Sequence, residues 1–158
     1  IAKVCNNNVD DFSCQTLVRE LFGVFLMIVL DTHALVWWVN GSESLSANAR
    51  KAIEETLTND SAILVSSISA WEIAMLITKG RLVLSMDVEN WLDEVSQIDG
   101  LRFVPVNNEI SIKSTMLPGE FHKDPADRMI VATARKFAVP VVTADEKMIQ
   151  YAHVKTIW

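Results

Sequence analysis

With 158 residues, half of them hydrophobic and 22% charged, the chain fits one globular domain with one ordinary core, which excludes a disordered protein. A formal net charge of −6 gives it little general attraction to nucleic acid, so a polyanionic substrate would need local basic residues or a bound cation. The cysteines are Cys5 and Cys14, so neither a disulfide framework nor a thiolate metal site is available to the remainder.

Residues 1–26 differ from the rest. They include Asn6, Asn7 and Asn8, and a domain-like pattern starts only at Met27. We expect Met27 to be the natural initiator and residues 1–26 to be an N-terminal extension, from upstream or vector sequence, with Asp10 or Ser13 able to cap a short helix through Leu17, Leu21 and Phe22. The apolar run Leu21–Leu30 is too short to span a bilayer and lacks the flanks of a signal peptide, which suits a cytoplasmic protein.

From Met27 strands and helices alternate. Ile28–Leu30 reads as a strand, followed by helix through Trp37. Ser46 caps a helix over 47–57, in which Ala49, Ile53 and Leu57 repeat every four residues. Ala62–Val65 is a second strand, with helix from about Ser69 to Thr78. Asp87 caps a helix through Trp91, Leu92 and Val95, and Leu101–Val106 is a third strand. Helix over 108–116 ends before Pro118 and Gly119, and Pro125 opens another to about Ala138. Val139–Val142, a short helix over 145–151 and Val154–Ile157 complete the pattern. Short strands separated by helices predict a three-layer α/β/α sandwich on a mostly parallel sheet of about five strands over 27–158.

Four acids fall where strands give way to helices or in a helix's first turn: Asp31, Glu72, Asp127 and Asp145. In a parallel sheet these positions share one edge, where ligands bind, and gathered carboxylates there call for a hard divalent cation. Each also has a structural reading. Asp31 fits the cap of the helix starting at Thr32. Ser69-Ala-Trp-Glu72 matches a capping box, which on that motif alone favours structure. Asp124, Pro125 and Asp127 fit N-cap, N1 and N3, and Thr143-Ala-Asp-Glu146 is another possible box.

Taken together, Met27-Ile-Val-Leu-Asp-Thr-His-Ala-Leu35, Ser66-Ser-Ile-Ser-Ala-Trp-Glu-Ile73, Phe121-His-Lys-Asp-Pro-Ala-Asp-Arg-Met-Ile130 and Val142-Thr-Ala-Asp145 closely resemble PIN-domain ribonucleases, more narrowly the VapC-type toxins of type II toxin–antitoxin pairs. The resemblance covers Met27–Trp158. It implies that Asp31, Glu72, Asp127 and Asp145 bind Mg²⁺ or Mn²⁺ and are catalytic, with Asp124 a peripheral candidate. It further implies RNA cleavage by metal-activated water that leaves a 5′-phosphate and 3′-hydroxyl, a cognate antitoxin partner and a homodimer. Thr32, Ser69 and Thr143, beside the acids, could orient carboxylates or simply cap helices. Lys123 and Arg128 could meet phosphate, although Arg128 could equally pair with Asp124 or Glu120. Of His33, His122 and His153, His122 adjoins the acidic block. The tryptophans read as core and interface, with Trp37, Trp38, Met75 and Leu76 suited to an antitoxin segment.

Other readings fit less well. An aspartyl-phosphate phosphatase needs a second Asp two residues after the first, where this chain has His33. A receiver domain needs a lysine after a late strand that Val142-Thr-Ala-Asp145 does not supply. A PIN-like scaffold without catalysis is disfavoured by the intact acids.

Overall fold

Strand Met27–Leu30 (β1) has no polar residue to turn toward water, and it lies at the centre of a five-stranded sheet. The structure, a computed structural model, describes residues 27–158, so the expected extension and its short helix lie outside the described residues. Along the chain follow Thr32–Val39 (α1), Ala47–Thr58 (α2), Ala62–Ser66 (β2), Ile68–Thr78 (α3), Val88–Ser96 (α4) and Leu101–Val104 (β3). Then come Asn108–Thr115 (α5), Pro125–Phe137 (α6), Val141–Val142 (β4), Glu146–Ile149 (α7) and Thr156–Ile157 (β5). The sheet order is β3-β2-β1-β4-β5, and every pairing is parallel.

Period-two alternation sends the strand side chains into two cores. Ile28, Leu30, Ile63 and Val65 face α1–α4 through Leu35, Ile53, Ile73, Trp91 and Val95. Val29, Leu64 and Val141 face the other way, onto Ile130, Val131 and Ala134 of α6 and Met148 of α7. With both faces covered, the central strands β1 and β4 read as unbroken apolar runs, as buried parallel strands do. The expected three-layer sandwich is the architecture found.

Several strands are shorter than expected, and prolines account for two. Pro105 ends β3 at Val104 because it has no N–H to donate. Pro140 delays β4 to Val141, although its carbonyl still accepts from Val29 N at 2.9 Å. The helix expected over 145–151 ends at Ile149, since Tyr151 turns inward and its hydroxyl donates to the Pro118 carbonyl at 2.6 Å. The cap residues Asp31, Ser46, Asp87 and Asp124 act as their sequence positions suggest.

Gly100 joins α4 to β3 at φ +82°, and a Cβ there would come within 2.7 Å of Leu57 Cδ2. Its carbonyl accepts from Ile63 N at 2.8 Å, which starts the β2–β3 register. Gly100→Ala should therefore lower stability by about 1–2 kcal/mol, the cost of a left-handed non-glycine residue, with more if Leu57 cannot move. Urea denaturation checks this, and an unchanged midpoint would contradict it.

Candidate active site

The sheet order reverses direction between β1 and β4, and a crevice opens there at the carboxyl ends of the strands. Asp31 leaves β1 on one side of it, and Thr143 and Asp145 leave β4 on the other. α3, which follows β2, and α6, which leads into β4, both present their first turns to the same edge. Four connections, far apart in sequence, thus bring Asp31, Glu72, Asp127 and Asp145 together.

Asp31 is buried, and both its oxygens are engaged. Oδ1 caps α1 by accepting from Ala34 N at 2.6 Å, and Oδ2 accepts a hydrogen bond from the Thr143 hydroxyl. Thr143 Oγ1 in turn accepts from Asp145 N at 3.0 Å, so one hydroxyl ties β1 to the acid after β4. Thr143 is thus no capping-box residue, because Asp145 is itself the cap of α7. Asp145 uses Oδ1 for both cap bonds, to Lys147 N at 2.8 Å and Met148 N at 3.0 Å. Burial raises the Asp31 carboxyl above the usual carboxylate range, against the opposing bonds from Thr143 and Ala34.

The capping-box reading of Ser69 and Glu72 is overturned. α3 starts at Ile68 with Ser67 in the cap position, which places Ser69 inside the helix. Glu72 Oε2 instead accepts from Thr32 Oγ1 at 2.6 Å. Thr32 Oγ1 also lies 2.9 Å from Ser69 Oγ, and since a hydroxyl has one proton, Ser69 donates in that contact. Both hydroxyls are buried, and they form a relay that orients the glutamate. The supporting roles open to Thr32, Ser69 and Thr143 are therefore carboxylate orientation in all three cases.

Asp124 caps α6 through Oδ1, with Ala126 N at 2.9 Å and Asp127 N at 3.4 Å. Asp127 is free of capping duty, and its Oδ2 lies 3.2 Å from His122 Nε2. Burial, reinforced by the charges of Asp124, Asp145, Glu72 and Asp31, pushes its carboxyl up to about 7. Burial, with Lys147, pushes the His122 imidazole below its ordinary range. A contact between the two rather than a strong ion pair fits both shifts.

Arg128 forms no ion pair with Asp124 or Glu120. Its guanidinium donates from Nε to the Ser114 carbonyl at 2.8 Å and from Nη1 to the Phe121 and His122 carbonyls at 3.1 Å each. The fork matches several carbonyls at once, and it staples the loop before α6 to the end of α5. Lys123 is exposed at the rim. Trp37 and Trp38 are both half-buried against the core, and the exposed tryptophan is Trp71, beside Glu72. Trp91 is the buried one. His122 carried only a weak signal in sequence, its place next to Asp124-Pro-Ala-Asp127.

Among the described residues no group of three or more His, Cys, Asp or Glu closes into a shell that could hold a metal as it stands. The donor chemistry nevertheless fits a hard cation. All four groups are carboxylates, and hydrogen bonds occupy one oxygen each of Glu72 and Asp145. Burial first, and the neighbouring acids after it, raise the Asp127 carboxyl, and a divalent ion would offset the charge of this group and its neighbours. A cavity of about 340 Å³ lined by Arg135, Val139, His153 and Lys155 lies at the opposite end of the sheet, away from these acids.

Residues 28–154 match the model of the PIN domain family. Ribonuclease VapC22 of Mycobacterium tuberculosis is 32% identical over 133 residues, spanning 83% of this chain and 98% of that protein. The VapBC2 complex of Rickettsia felis, bound to a promoter DNA fragment, has a chain with a TM-score of 0.59 at 16% identity, covering 82% of this chain and 96% of that one. A toxin–antitoxin complex from Klebsiella pneumoniae gives 0.54 at 16%, with 80% and 94% covered. At such identities the two structures speak to fold alone. The chain belongs to the PIN-domain family and, within it, to the VapC-type ribonucleases.

Two outcomes are expected from this geometry. Folded Asp127 keeps its proton to about pH 7, whereas the unfolded group loses it near pH 3.8. Folding therefore takes up a proton between those values, and metal-free stability falls as pH rises through that window. Asp127→Asn, which mimics the protonated acid, should raise the unfolding midpoint in EDTA at pH 7.5 by roughly 2–4 °C, and hardly at all at pH 4. An equal shift at both pH values would contradict the assignment. Arg128→Lys keeps the charge but loses the fork, and it should cost about 1–3 kcal/mol in urea denaturation through unpaired carbonyls.

Proposed function

We propose that this chain is a divalent-metal-dependent endoribonuclease and the toxin of a toxin–antitoxin pair. It hydrolyses phosphodiesters of single-stranded or structured RNA to leave 5′-phosphate and 3′-hydroxyl ends. The observation that carries this reading is the meeting of four carboxylates from distant segments at the β1–β4 crevice, in a chain of the VapC-type family.

Asp31, Glu72, Asp127 and Asp145 would hold the ion, Mg²⁺ or Mn²⁺. Such an ion supplies Lewis acidity to the phosphate and makes water a better nucleophile near neutral pH. The chain's own part is preorganisation. Thr143 fixes Asp31 across the sheet, and Thr32 with Ser69 fixes Glu72. The exposed cations Lys123 and Lys147 stand beside the acids and can meet the RNA backbone.

An antitoxin partner is supported by the fold shared with chains of toxin–antitoxin complexes. Exposed Trp71 next to Glu72 offers such a partner an aromatic anchor at the crevice. Exposed Ile112 and Met116 on and just after α5 support a homodimer through helices. Among the described residues no helix is long and apolar enough to cross a membrane, and a cytoplasmic location accords with an RNA substrate.

Cleavage of a generic RNA should require added Mg²⁺ or Mn²⁺, stop with EDTA and resume when the ion is restored. Asp31→Asn should lower the rate on the order of 100-fold or more while the protein stays folded. Equal cleavage by the two proteins, or activity that survives EDTA, would remove the mechanism.

A further inference from the structure

His122 stands out because its place agrees with neither of the roles a histidine beside four acids invites. Its Nε2 is buried and has no aligned hydrogen-bond partner, so it reaches neither RNA nor a water in the open crevice. A buried nitrogen of this kind is neither a general base nor a ligand for an ion in that crevice. What it faces is Asp127 Oδ2, at 3.2 Å.

The protonation of the ring follows from its other side. Nδ1 lies 3.4 Å from Asp124 N, which can only donate, so Nδ1 accepts. A neutral imidazole then carries its proton on Nε2, pointing at Asp127. The ring is also held in place: Phe121 packs against it with centroids 4.2 Å apart, and the residue's own carbonyl is held by Arg128. The three parts, Arg128, His122 and Asp127, lie within one short stretch of chain.

We infer that His122 is a positioning residue, which fixes Asp127 by donating from Nε2 to Oδ2 and leaves Oδ1 for the cation. A small rotation of the carboxylate brings the contact into line. Such hydrogen bonds to a liganding carboxylate set its orientation, and their loss typically weakens metal binding about 10–100-fold. The inference rests on the proposed metal site and assigns it a support that lies outside the acids.

The test is Mn²⁺ binding to the full chain by calorimetry, with wild type, His122→Ala, His122→Gln and Asp127→Asn compared after thermal unfolding shows each to be folded. His122→Ala should weaken Mn²⁺ about tenfold. The glutamine amide places an N–H near the position of Nε2, so His122→Gln should recover most of that loss. RNA cleavage by His122→Ala should approach wild type at saturating Mn²⁺, whereas Asp127→Asn should stay impaired. Wild-type affinity in His122→Ala, or a glutamine variant as weak as the alanine one, would overturn the assignment while leaving the acidic site intact. A wild-type chain that takes up no Mn²⁺ would overturn both.

Discussion

Like charge at the carboxyl edge of the sheet is the constraint from which the rest of the site follows. The order β3-β2-β1-β4-β5 parts the connections above β1 and β4, and four carboxylates converge on the gap. Their mutual repulsion has to be met locally. The protein meets it with the Thr143 and Thr32 hydroxyls and with backbone N–H groups at helix starts, while burial and then the neighbouring acids raise the Asp127 carboxyl to about 7. Each of these hydrogen bonds is a weaker answer than a divalent ion, and together they keep the acids poised without one.

Capping and chemistry prove to be compatible uses of the same residues. Asp145 commits one oxygen to the cap of α7 and leaves the other over. Asp31 caps α1 while taking the Thr143 bond. A cap stabilises by about 1 kcal/mol, and that interaction also fixes the carboxylate's direction. The helix starts therefore act as mounts for the site. Asp124 carries the cap of α6 alone, which frees Asp127 to enter the crevice.

The layer architecture and the set of four acids were legible in the sequence because they rest on periodicity and on residues at strand ends. Glu72 was less so. Ser69-x-x-Glu72 reads as a capping box, but the helix begins two residues earlier than that box requires, and Ser69 becomes a buried partner of Thr32. A contact across 37 residues leaves no local trace. Arg128 misled for the same reason. A guanidinium beside acids suggests an ion pair, and only the folded loop shows carbonyls taking up its N–H groups. The strand ends at Pro105 and Pro140 were visible as residues, while how far each proline trims its ladder depended on the neighbouring strand.

The charge balance constrains how such a protein could hold RNA. Its net charge is −6, Arg128 is occupied within the fold, and Lys113 and Lys136 both pair with Glu109. Beside the acids that leaves the exposed Lys123 and Lys147 as local cations. Two lysines release few counterions on binding a polyanion, so affinity drawn from them is small and only mildly salt-dependent. On the proposed function, the divalent ion then has to supply much of the attraction for the scissile phosphate as well as its activation. Substrate capture and chemistry would depend on the same four carboxylates, and a partner that covers the crevice would block both at once.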